Sequence, residues 1–155
     1  IRHARRVRCE RPARVSAQGT APLVIERLTV RADRVVCDVV LAPGVPRRTT
    51  PELAARVRAA HPHVPRHACV NGAGDTFGAV MGATSLPHLL EHLVIDLQTQ
   101  AAPPDAPPDT AYVGVTRWTD ENAGRAHIEV SFTDDLVALR AFRDAVRFLN
   151  VAVVL

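Results

Sequence analysis

Three side chains within five residues, His88, Glu91 and His92 in the string HLLEH, are of the types that hold a metal ion and move a proton. On a helix, positions i, i+3 and i+4 share a face with Cβ atoms about 5–6 Å apart. Two imidazoles can therefore meet one ion while the carboxylate stands beside it. The string is HxxEH, the reverse of the zinc-hydrolase pattern HExxH. Neutral imidazole nitrogens suit zinc, and a carboxylate next to the ion can accept a proton from water acidified to a pKa of about 7. Two protein ligands are one short of the usual catalytic site, which keeps three and leaves the fourth position open. Candidates for the third are Cys69 and His67 upstream, and His127 or Glu129 downstream. A thiolate is an excellent zinc ligand, and Cys69 lies in a glycine-rich run leading into the motif.

The motif needs a rigid helix, and the surrounding sequence predicts one over 86–101. Thr84 and Ser85 are cap residues, Leu89, Leu90, Leu93, Val94 and Leu97 form a buried stripe, and AAPPDAPPD stops the helix. Upstream, β-branched runs at 23–30 and 34–41 around Ala32-Asp33 read as a hairpin. Thr50 before Pro51 opens a helix to about Ala60. Residues 69–84, with four glycines, read as a loop with one helical turn. Residues 111–118 and 125–132 bracket TDENAG as a second hairpin, with Ile128, Val130 and Phe132 inward and His127 and Glu129 outward. Thr133 or Asp134 caps a last helix to about Leu149, with Leu136, Leu139, Val146 and Leu149 on one stripe. The order predicts an α+β fold, an antiparallel sheet of hairpins with helices packed on one face and the HxxEH motif on a central helix.

Composition narrows the function classes. At 155 residues the chain has the length of a single domain over 1–155, with 1–20 as a loose arm or edge strand. No run approaches the roughly 18 apolar residues of a membrane span, and no apolar segment follows the basic start, so no membrane partner and a cytoplasmic location are expected. Cys9, Cys37 and Cys69 show no CxxC spacing, which argues against a disulfide scaffold and a zinc ribbon. All nineteen basic side chains are arginine, which excludes catalytic lysine and the P-loop. Residues 1–66 carry a net charge of +9 and residues 67–155 a net charge of −6. With aromatic residues at 4%, nucleic-acid binding is disfavoured despite the basic half. GAGDTF at 72–77 matches the anion hole of ribokinase-like sugar kinases, but those need about twice this length and several parallel strands.

The stretch HACVNGAGDTFGAVMGATSLPHLLEHLVIDLQ resembles the N-terminal domain of cyanophycin synthetase. The matching residues are His67, Cys69, Gly78, Thr84, His88, Glu91, His92, Leu97 and Gln98, with Asp96 where that family has glutamate. GVTRW, with Thr116 and Arg117, and HIEVSFTDDLVALRAFRDAVRFLN extend the similarity over about 60–150. NGAGDTFGAV departs from it, standing where the family has a proline-glycine-glycine turn. The resemblance implies a Zn2+ site of His88, His92 and Cys69 with Glu91 as general base, cutting an aspartate polymer that bears arginine on its side-chain carboxyls. Arg117, from the threonine-arginine element, would hold a substrate carboxylate or the developing oxyanion. The partner expected is thus a peptide or polymer substrate carrying Asp and Arg groups, and association of like chains is compatible with the sequence. The inverted motif with two histidines and a cysteine also resembles S-ribosylhomocysteinase, which admits a non-peptide substrate. The alternative to a zinc hydrolase is a non-catalytic binding or assembly module that keeps the fold.

Overall fold

The computed structural model describes residues 19–107 and 110–155, so most of the arm or edge strand expected over 1–20 lies outside the described residues. Strands β1 (Leu23–Val30), β2 (Arg34–Leu41), β5 (Gly114–Asp120) and β6 (Arg125–Ser131) form one antiparallel sheet in the order β1-β2-β6-β5. Helices are α1 (Pro51–Ala60), α2 (Leu86–Ala101) and α3 (Asp135–Ala152). The fold is α+β, as the sequence predicts. Among the described residues no helix is long and apolar enough to cross a membrane.

Side-chain alternation along the strands sorts the sheet into two faces. Val35, Cys37 and Val39 on β2 and Ala126, Ile128 and Val130 on β6 point inward and are at most 1% exposed. They pack with Leu86, Leu89, Leu90, Leu93 and Val94 of α2 and with α3 in one hydrophobic core. The outer face carries a cross-strand row, Arg27 against Asp38, Asp38 against His127, and His127 against Arg117. His127 bonds Asp38 through Nδ1 at 2.8 Å and Glu129 through Nε2 at 3.1 Å, and Arg34 donates to Glu129 at 3.1 Å.

Two segments differ from the sequence reading. The buried stripe of α3 runs through Ala138, Phe142, Ala145, Val146 and Leu149 with Leu139 packed beside it, while Leu136 in the first turn is 59% exposed. The glycine-rich segment is a small hairpin, β3 (Ala68–Asn71) with β4 (Gly74–Thr76), followed by a 3-10 turn at Phe77–Ala79. The Asn71 side chain closes it, accepting from the amides of Ala73 and Gly74 and donating to the carbonyls of Cys69 and Thr76. At Gly78 a Cβ would lie 2.8 Å from the Pro65 carbonyl oxygen, so a glycine is required for the turn to seat against Val64–Arg66.

Candidate metal centre

The N-terminus of α2 is held on several sides. Ser85 caps it by accepting from the His88 amide at 3.3 Å, Pro87 stands in its first turn, and the Leu86 amide donates to the Arg47 carbonyl at 2.9 Å. From the first two turns His88, Glu91 and His92 emerge on the same face, and β3 brings Cys69 opposite them. The candidate ligand atoms of Cys69, His88 and His92 all lie within 4.8 Å of one another. Cys69 Sγ is 3.6 Å from His88 Nε2, which matches the separation of about 3.5 Å between neighbouring ligands at tetrahedral zinc.

Outer partners fix the rings. Thr84 Oγ1 lies 2.9 Å from His88 Nδ1, which leaves His88 Nε2 toward Cys69. His67 Nδ1 lies 3.2 Å from His92 Nδ1, and His67 Nε2 lies 3.7 Å from Asp96 Oδ1. The proton arrangement that serves all three groups has His92 Nδ1–H donating to His67 Nδ1 and His67 Nε2–H facing the carboxylate. His92 Nε2 is then left bare. Asp96, 1% exposed, is also bonded by His61 Nδ1 at 2.9 Å and by the Gln100 amide. Burial alone would raise its pKa, but the bonds from His61 and His67 outweigh that and hold it well below the usual carboxylate range. Phe77, fully buried, stacks on His92 with centroids 3.9 Å apart and meets His88 edge-on at 5.0 Å.

The electrostatics suit a cation. Burial first, then the neighbouring His88 and His67, pushes His92 down to about 3, and burial also lowers His88, so both rings are neutral near pH 7. Glu91 is 5% exposed and accepts from Thr116 Oγ1 at 2.5 Å through Oε2. Its pKa is raised by burial, against the opposing pull of that hydrogen bond. At Gly114 a Cβ would come within 2.6 Å of Glu91 Cδ, so β5 can pass this close to the carboxylate only as bare backbone. The cluster and Glu91 line one cleft of about 640 Å³, walled by β3 and β5.

Not every residue singled out in the sequence arrives here. His127 and Glu129 are on the opposite face of the sheet, engaged with Asp38 and Arg34. Arg117 is exposed on that same outer face, across from His127, because the pleat turns Thr116 inward to Glu91 and Arg117 away. The geometry therefore gives Arg117 no place against a carbonyl held at the cluster, and the role implied by the resemblance does not fit its position. His67 approaches His92 from behind, outside the group of three. Phe77 and His61 carry no spacing signal that sequence alone could expose, and Gly114 opens the GVTRW string without a sign of the contact it admits.

The family model described as the cyanophycin synthase-like N-terminal domain matches residues 34–154. The chain belongs to this family. No curated protein and no solved structure matches the chain. In this cyanophycin synthase-like N-terminal domain the match spans β2 through α3, and so every element that builds the cleft. The expected effect of His67→Ala is a divalent-metal affinity about 10–100-fold weaker, the cost of an outer partner, measured by competition with a chelating dye. A loss as large as that from removing Cys69 would make His67 a ligand.

Proposed function

We propose that the domain is a zinc-dependent hydrolase of peptide or isopeptide-like amide bonds, acting on a polymer of aspartate and arginine. The observation that carries this reading is the convergence of Cys69, His88 and His92 in the cleft that also holds the buried Glu91. One thiol and two neutral imidazoles fit zinc, which would supply a Lewis acid able to polarise an amide carbonyl and to acidify water. Glu91 is the proton carrier. The Thr116 hydroxyl occupies Oε2, which leaves Oε1 for the attacking water, and a pKa raised by burial brings the carboxylate closer to the basicity useful near neutrality. The water oxygen bonds to the carbonyl carbon as Glu91 takes its proton and the C=O π pair shifts onto the carbonyl oxygen. The C=O bond then re-forms as the C–N bond breaks, and Glu91 passes the proton to the leaving nitrogen. His67 and Asp96 hold His92 in one tautomer throughout.

The test uses protein purified without chelator or histidine tag. About one equivalent of zinc is expected, and less than about a tenth with no uptake on adding zinc overturns the metal site. Zinc-loaded protein incubated with cyanophycin, β-aspartyl-arginine dipeptide and casein, with new amines followed, then sorts the substrate. Cleavage of casein alone keeps the amidohydrolase and discards the polymer.

A further inference from the structure

Among the described residues, strand β5 is an edge of the sheet, paired with β6 on one side only. In an antiparallel pair, alternate residues direct both backbone polar groups toward the partner and the residues between direct theirs away. The parity is fixed here by the Ser131 amide, which donates to the Val113 carbonyl at 2.9 Å. In the same register Val115 faces Glu129 and Arg117 faces His127, so these residues spend their N–H and C=O groups on β6. Gly114 and Thr116 fall between them, and their N–H and C=O groups point to the open edge.

That edge borders the cleft holding Cys69, His88, Glu91 and His92. Edges of natural sheets are commonly guarded by charge, bulges or covering segments. On β5 the guards, the exposed Arg117 and the irregularity between Trp118 and Asp120, lie in the far half. The half beside the cleft is bare backbone at Gly114, rimmed by exposed Val113 and Val115, with Val70 of β3 fully exposed on the other wall. A second cleft of about 570 Å³ shares Ala68, His92, Ile95, Ala111 and Tyr112 with the first, so the groove continues past His92 toward Asp96 and Gln100.

We propose that the open edge of β5 is a docking rail, along which an extended polyamide segment of the substrate adds as a further strand, hydrogen-bonded to the N–H and C=O groups of Gly114 and Thr116. A strand placed there, about 4.8 Å from β5, runs along the groove beside the metal ligands and Glu91. The rail reads the amide repeat and not the side chains. The glycine that admits β5 against Glu91 thereby ties the docked chain to the proton carrier. A second folded copy does not suit the slot, since β3 forms its opposite wall. The inference rests on the hydrolase reading for its occupant.

The test is amide hydrogen exchange by NMR on 15N-labelled protein, once as metal-free wild type and once as zinc-loaded Glu91→Gln, neither of which should turn over. The probe is an oligo-aspartate of about four units bearing arginine on its side-chain carboxyls, alongside the same oligomer with N-methylated backbone amides. At saturation the Gly114 and Thr116 amides should exchange at least about tenfold more slowly while those of Val115 and Arg117 do not change, and N-methylation should weaken binding about tenfold or more. Saturation without slowing at Gly114 and Thr116 overturns the rail, and so does failure of the oligomer to bind either sample. Protection already present without oligomer and rising with protein concentration overturns it in favour of edge pairing between copies. Wild-type cleavage, assayed separately, keeps the two readings apart. Protection without cleavage removes the hydrolase and leaves the rail, and cleavage without protection does the reverse.

Discussion

Glu91→Gln should lower turnover by about 10²–10⁴-fold while the metal content is unchanged. The metal is retained because Glu91 is outside the group formed by Cys69, His88 and His92, and glutamine has the same shape. Its amide oxygen can still accept from the Thr116 hydroxyl, so the contact with β5 survives. What disappears is the group that can take and return a proton. The variant should unfold no more readily than wild type, because burial already disfavours the ionised carboxylate it replaces. Steady-state kinetics, elemental analysis and thermal unfolding on the same preparation check all three. Undiminished turnover would remove Glu91 from the role of proton carrier, and a wild type with no turnover would support a non-catalytic binding module.

Cys69→Ser should weaken zinc binding by at least about 100-fold, beyond the loss expected from removing an outer partner such as His67. A serine hydroxyl is a poor substitute for thiolate, and no other cysteine among the described residues is near. Cys37 lies in the core between β2 and the helices, and burial, with a lesser push from Asp38, drives its thiol up to about 12. Cys37→Ser should therefore leave zinc affinity unchanged. Chelator competition on both variants decides, and equal affinities would remove the thiol from the site.

The elements that build the fold were legible where a period was present. The bounds of β1, β2 and α2 follow from β-branched runs, a helical stripe and its cap, and the side-chain alternation of β6 puts His127 and Glu129 outward as found. Where structure is held by side chain to backbone bonds the signal fails. Asn71 closes the β3–β4 hairpin within a glycine-rich string that has no alternation to read. The HxxEH spacing suffices to place three groups on one face of α2, whereas the arrival of Cys69 depends on that same hairpin. Arg117 shows the opposite failure. A threonine-arginine pair names two neighbours without saying which faces the cleft, and one step of the pleat separates Thr116 on Glu91 from Arg117 on the outer surface.

Phe77 ends the GAGDTF string as a wholly buried ring that belongs to the hydrophobic core and lies flat against His92. In the zinc hydrolase proposed above, folding and ion capture are therefore two ends of one equilibrium. Whatever binds the native site and not the unfolded chain adds its saturation to stability, about 4 kcal/mol at a thousandfold excess over Kd. Reciprocity runs the other way too, since loosened packing beneath the ring would slacken both imidazoles and weaken the grip on the ion with every ligand still in place. The metal affinity proposed for the centre would in this way be adjustable from the interior, by substitutions that never touch a donor atom.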